Sequence, residues 1–265
     1  MMLKKILLII IFSEFSLGIE KDEIIICSQC HSHNDYLNEN PLYNALSHGF
    51  KSIEVDIVLH KNTLYVAHYW WLKKKNIVIE KIYLDNLFTI FKDNSGYIYE
   101  NDNPLFLLID IKTSPNDTYE VLDDLLINYK PMLSHVINDS LIQGAVTVIL
   151  TGNRPEIEYL KNMRERYVFL DGRLSDIGKN ISVNIMPLIS IDWEDEFLWR
   201  GKNSISISES NRLDELITKV HFEGKKLRFW GAPDNQRSWE IFYSAGIDLI
   251  NTDKIIELYD FMINQ

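Results

Sequence analysis

Six residues in the first half of the chain have the types and spacing of a reaction centre: His31, Glu54, Asp56, His68, Asp110 and Lys112. His31 opens HSHNDY (31–36), and Glu54 and Asp56 stand two apart in SIEVDIVL (52–59). His68 closes LYVAH (64–68), and Asp110 and Lys112 stand two apart in LFLLIDIKT (105–113). On an extended strand, residues two apart face the same side. Each pair therefore projects one way from an apolar run. Three carboxylates turned inward from such runs repel one another and lose hydration unless a cation joins them. An all-oxygen Glu/Asp/Asp set suits one hard divalent ion, Mg²⁺ or Ca²⁺. Such an ion neutralises a non-bridging phosphate oxygen and polarises phosphorus. The histidines supply proton transfer: with an ordinary pKa of about 6.5, one can accept a proton while another donates one.

Residues of this kind need strand ends to hold them. Strand-like runs begin at Ile24, Lys51, Phe106, Ala145, Tyr167, Ile185, Leu227 and Asp248. Helical stretches follow most of them: 41–48, 116–135, 208–223 with Ser208 or Ser210 as cap and Gly224 as stop, and 235–244. His60–Asn62 is too short for a helix and reads as a tight connection into 63–68. The segment 69–103 is irregular, expected to form loop and one helix; Tyr69-Trp70-Trp71 touches lipid or packs within the loop, and packing is the preferred reading. Eight strands alternating with helices predict an α/β fold, a (β/α)8 TIM barrel in one domain, with the polar residues at the C-terminal ends of the strands. The pattern is also compatible with a doubly wound open sheet.

The chain has 265 residues and a net charge of −11, with no block of like charge longer than Lys73–Lys75. That excludes the basic footprint of a nucleic-acid binder. Residues 1–18 have the layout of a secretory signal peptide: basic Lys4 and Lys5, an apolar run Ile6–Phe12 too short to span a bilayer, and Ser16-Leu17-Gly18. An uncleaved anchor or a buried first strand are the other readings. The expectation is a leader over 1–18, a barrel domain over 19–265, and residence outside the cell or in the endomembrane lumen. Cys27 and Cys30 make at most half a zinc site, so packing residues or a small local disulfide are preferred.

The motifs resemble a known superfamily, the phosphatidylinositol-phospholipase-C-like phosphodiesterases, with glycerophosphodiester phosphodiesterase and sphingomyelinase-D-like branches. A strand-end His, an E-x-D on the second strand, a second His after a short hairpin and a carboxylate on the third strand form that signature. LIDIKT is similar to the D-L-K-T of the sphingomyelinase-D-like branch. HSHNDY, SIEVDIVL, TGNRP (151–155), DGRLSD (171–176), LRFWGAPD (227–234) and LINTD (249–253) resemble, more narrowly, the altered-inheritance-of-mitochondria protein 6 family. The resemblance implies His31 and His68 as catalytic histidines and Glu54, Asp56 and Asp110 as metal ligands. The glycerophosphodiesterase branch has H-R-G where this chain has His31-Ser32-His33, so an arginine expected near the phosphate is missing. His33 is then a substitute phosphate contact or itself the first catalytic histidine.

Lys112 contacts phosphate or anchors Asp110. Arg154 contacts phosphate, forms a rim salt bridge or caps a helix. Trp230 lines a pocket or packs the rim, and Asn251 and Asp253 orient substrate or cap the last helix. The function implied is a monomeric, metal-dependent phosphoric diester hydrolase. Its substrate would be a small-molecule or lipid phosphodiester derived from glycerol or a lipid, with transient membrane-surface contact allowed and no nucleic-acid partner. The alternatives are a lyase-type phospholipase releasing a cyclic phosphate, an inactive binding barrel, and a zinc hydrolase using His31 and His33 as ligands.

Overall fold

The computed structural model describes residues 24–99 and 104–265, so the expected leader lies outside the described residues. Eight parallel strands run β1 (Cys27–Ser32), β2 (Phe50–His60), β3 (Leu105–Ile111), β4 (Val146–Gly152), β5 (Val168–Gly172), β6 (Leu188–Asp192), β7 (Lys226–Trp230) and β8 (Ile250–Thr252). Each of β1 to β6 lies beside the next, and β8 lies beside β1. A parallel bridge between Arg228 and Leu249 brings β7 to the segment entering β8 and closes the ring. The fold is the (β/α)8 barrel that the alternation of runs predicts, with strand starts within three residues of expectation.

Strand parity sorts the side chains into two shells. Leu105, Leu107, Ile109 and Ile111 of β3 join the main core beneath the helices. The other parity points into the barrel and stacks in layers. At the bottom, Leu108, Ile149, Phe169, Leu188 and Leu249 form an apolar plug with Val136 of the short antiparallel sheet 135–137/140–142/165–166. Burying an aliphatic or aromatic side chain of this kind contributes about 1.5–3 kcal/mol. The plug therefore offsets part of the cost of the polar layer above it, where Ser52, Glu54, His31, Asp171, Ser190 and Arg228 are all buried. Asp56 and Asp110 stand above these, directly opposite each other in the β2–β3 register.

The connections follow their residues. Lys61 and Asn62, both with positive φ (49° and 55°), make a two-residue turn after which Thr63–Val66 returns antiparallel to β2. The helix expected over 208–223 spans Ile207–Phe222, but its cap is Ser206, whose side chain accepts from the Glu209 amide. Ser208 and Ser210, the expected caps, both lie within the helix, whereas Ser206 before it keeps extended backbone. Gly224, with φ +70°, follows the helix end as expected. The segment after His68 holds one α-helix, Asp85–Asp93, preceded by short 3₁₀ and π turns. Tyr69, Trp70, Trp71 and Leu72 are exposed, the aromatic rings touching one another rather than the core, which departs from the packing preferred for Tyr69–Trp71. Cys27 and Cys30 form a disulfide within β1. Among the described residues no helix is long and apolar enough to cross a membrane.

Candidate active site

Glu54, Asp56 and Asp110 present oxygen atoms that all lie within 4.8 Å of one another. The β2–β3 register makes this so: Asp56 and Asp110 are cross-strand partners and Glu54 is one inward step below. Their surroundings differ. Glu54 is ion-paired to Arg228 and lies 3.1 Å from His31 Nε2. Burial alone would raise its pKa, but the Arg228 charge and the His31 contact outweigh it and hold the carboxyl well below its ordinary range. Asp56 Oδ2 accepts from Tyr36 Oη at 2.8 Å and from His68 Nδ1 at 2.7 Å. Asp110 Oδ2 lies 2.9 Å from Lys112 Nζ, which also lies 3.4 Å from Asp56 Oδ1. Burial pushes Asp110 up to about 6, with Glu54 and Asp56 adding to the shift against the pull of Lys112.

Two observations bear on whether this group fits a cation. Asp110 Oδ1 is buried without a hydrogen-bond partner, and Asp56 Oδ1 is buried with only the 3.4 Å ion-pair contact to Lys112, a costly state for carboxylate oxygens. Moreover, among the described residues the lysine and arginine ion pairs to four carboxylates (Glu54, Asp56, Asp110, Asp171) come from two side chains, Arg228 and Lys112, with Arg154 adding its charge near Asp171. Unsatisfied oxygens and excess negative charge both favour a hard divalent ion, so the set can hold one.

The three histidines differ in access. His68 reaches the site through the hairpin: the Ala67 amide donates to the Asp56 carbonyl at 3.1 Å, which brings the His68 ring back over Asp56. Its Nδ1–H donates to the carboxylate, which fixes the tautomer and leaves Nε2 for chemistry on a side chain 44% exposed. His33 sits just beyond β1, its Nδ1 2.7 Å from Asp253 Oδ1, with 29% of its side chain exposed. Burial lowers its pKa, but the Asp253 hydrogen bond and the Glu54 and Asp253 charges outweigh this and raise it overall. His31 is fully buried. Its Nε2 lies 2.8 Å from Arg228 Nη1, and its Nδ1 lies 2.7 Å from Ser52 Oγ. Burial and the Arg228 charge push it down to about 4. Both of its ring nitrogens are engaged inside the barrel.

Arg228 is the residue that sequence reasoning missed. Its Nε donates to Ser190 Oγ at 2.9 Å and its Nη2 lies 3.8 Å from Asp171, so one guanidinium links β1, β2, β5, β6 and β7. The signal was present: in LRFW (227–230) an arginine stands between Leu227 and Phe229, on the parity that faces the barrel axis. An arginine absent from the first strand end is thus found on the seventh strand. Tyr36 was also missed, although it lies inside HSHNDY. Asp35 of the same motif is structural, accepting from Ser32 Oγ, the Leu42 amide and Tyr83 Oη to fold the loop after β1.

The remaining candidates lie at varied distances from the carboxylates. Asn251 is the register partner of His31, with its Oδ1 3.5 Å from Arg228 Nη1. Trp230 ends β7 with its side chain partly exposed. Arg154 is turned to the rim, donating from Nε to the Asp171 carbonyl at 2.6 Å and lying 3.3 Å from Asp176.

Comparison with known proteins agrees with this layout. Residues 20–171 match the family model described as AIM6-like phosphodiesterase domain. The chain is 29% identical to altered inheritance of mitochondria protein 6 of Eremothecium gossypii, covering 88% of this chain and 69% of that protein. A homologue in Arthroderma benhamiae is 26% identical, with 85% and 81% covered. Among solved structures, a glycerophosphodiester phosphodiesterase from Parabacteroides distasonis superposes with a TM-score of 0.54 at 12% identity, covering 89% of this chain and 97% of that one. That likeness shows the barrel fold.

Proposed function

We propose a hydrolytic function from one premise: this chain belongs to the AIM6-like phosphodiesterase domain family. The reading is a metal-dependent phosphodiesterase acting on a glycerol- or lipid-derived phosphodiester. The observation that carries it is the Glu54/Asp56/Asp110 group with two oxygens that no hydrogen bond satisfies, set beside two accessible histidines. Glu54, Asp56 and Asp110 would hold one Mg²⁺ or Ca²⁺, which supplies phosphate charge neutralisation and polarises phosphorus.

The chain's own residues supply the rest. His68, oriented by Asp56, accepts the proton of an attacking water through Nε2. His33, kept protonated by Asp253, donates to the ester oxygen as its bond to phosphorus breaks. The products are an alcohol and a phosphomonoester. Lys112 holds Asp110 and adds positive charge beside the phosphate position. His31 serves as the floor of the site, holding Arg228 against Glu54, rather than as a proton carrier. This assignment moves the first catalytic histidine two residues along from the one expected from the sequence. The Cys27–Cys30 disulfide supports the expectation of an oxidising compartment, outside the cell or in the endomembrane lumen.

Alanine variants test the roles. His33→Ala and His68→Ala should each lower turnover of a glycerophosphodiester on the order of 10²–10⁴-fold, as losing a positioned proton-transfer group does. Asp253→Asn should move the alkaline limb of the pH profile to lower pH, because the acid form of His33 then persists over a narrower range. If His31→Ala matches His68→Ala in severity with fold and cation affinity intact, while His33→Ala stays active, the role returns to His31. A cyclic phosphate product, seen by phosphorus NMR, would replace water by a hydroxyl of the substrate and make the enzyme a lyase.

A further inference from the structure

The loop that follows His68 carries more exposed apolar surface than a barrel rim needs. Tyr69, Trp70, Trp71 and Leu72 are 47%, 54%, 60% and 56% exposed. They are nonetheless ordered against one another. Tyr69 packs edge-on against His68, Trp71 stacks on Tyr69 with ring centroids 4.6 Å apart, and Trp70 meets Trp71 edge-on. Lys73, Lys74 and Lys75 follow at once, in a chain whose net charge is −11. Lys74 and Lys75 are exposed, and Lys73 covers the Trp70 ring at 5.1 Å. Three consecutive cations against that background are a local reversal of charge.

The cluster's position also matters. Segments leaving the C-terminal ends of other strands add exposed apolar residues on the face that carries the carboxylates: Leu37 after β1, Leu198 after β6 and Trp230 at the end of β7. Aromatic side chains with one polar edge settle at the boundary between headgroups and acyl chains, and adjacent lysines are drawn to anionic headgroups. A soluble protein partner would account for the apolar residues, but the Tyr-Trp-Trp-Leu-Lys-Lys-Lys order, with aromatics and cations side by side, fits a layered surface better.

We propose that the 69–75 loop is a docking element for the surface of an anionic lipid bilayer, bringing the mouth of the barrel against the membrane. The orientation this gives the site, and hence a substrate drawn from the bilayer, rests on the catalytic reading above; the binding itself does not.

Co-sedimentation of the full chain with phosphatidylcholine vesicles, with and without phosphatidylserine, tests the proposal without any turnover. The wild type should partition onto the phosphatidylserine-containing vesicles and be released by salt. Replacing Lys73, Lys74 and Lys75 by Gln should weaken that partition by about 10²-fold, each lysine near an anionic surface contributing about fivefold. Trp70→Ala/Trp71→Ala should weaken it about tenfold or more, by loss of buried aromatic area. The exposed position of these residues lets both variants keep the wild-type melting temperature, which is checked alongside. A wild type that stays in the supernatant with both vesicle types would overturn the proposal. Binding retained by both variants would overturn it too, by assigning attachment to another part of the chain. Self-association in sedimentation velocity that Trp70→Ala/Trp71→Ala abolishes, without vesicle binding, would assign the surface to a second copy instead.

Discussion

At Asp110 the site depends on what a neighbour lacks. Gly152, at the end of β4, has φ +67°, and a Cβ there would fall 2.0 Å from Asp110 Oδ1. Gly152→Ala therefore meets both a left-handed conformational cost of about 1–2 kcal/mol and a direct clash with a carboxylate of the candidate metal group. The expected result is at least a tenfold loss of divalent-cation affinity by calorimetry, with the barrel still folded; unchanged affinity would remove Asp110 from the site. The same residue sets the sign of the pH dependence. With its carboxyl pushed up to about 6, Asp110 carries a proton below that pH, and the proton competes with the cation. The rise in melting temperature on adding cation should thus grow as pH increases through about 6 and shrink below it. The paired carboxylates could be read from the sequence because strand parity alone puts Glu54 with Asp56 and Asp110 with Lys112. Parity could not choose between His31 and His33, which share a face. That choice is made by burial and by Arg228, a partner almost two hundred positions away in the chain.

Among the elements, β1 is the least regular. Cys27 is opposite Phe50 and His31 is opposite Ser52, so four steps of β1 face two of β2. The Cys27–Cys30 disulfide spans this irregularity, immediately before the residues that carry His31 and His33. A cross-link closing so short a loop contributes about 2 kcal/mol by chain entropy. Cys27→Ser/Cys30→Ser should lower the melting temperature accordingly. It should also reduce turnover more than a surface change of equal stability cost, because the offset that aims both histidines is loosened. An unchanged melting temperature and turnover would make the disulfide incidental. Nothing in CSQCHS announces a register shift: it has no glycine, and a short apolar run reads as plain strand. The hairpin after β2 was readable, since His60–Asn62 leaves no room for a helix. The cap at Ser206 was not, because Ser206, Ser208 and Ser210 differ only in backbone conformation.

On the scale of the whole molecule, the barrel is a graded interior: apolar plug below, a buried ionic layer centred on Arg228, and carboxylates at the open end. The eight strands were visible as apolar runs because both of their faces are buried, one under helices and one inside the ring. The exposure of Tyr69–Leu72 was not visible, since an aromatic run says nothing about what faces it. The plug gives the polar layer a dry foundation, and this makes the negative excess above it matter: charge that water does not screen must be met by a counter-ion. The most direct measurement is hydrolysis of a glycerophosphodiester by protein stripped with a chelator, followed as Mg²⁺ or Ca²⁺ is titrated back. The expected result is activity that vanishes on stripping and returns at one bound cation per chain, and that Asp56→Asn and Asp110→Asn fail to recover. Hydrolysis that persists in the stripped protein, or returns equally in both variants, would contradict the carboxylate group as the centre of the chemistry.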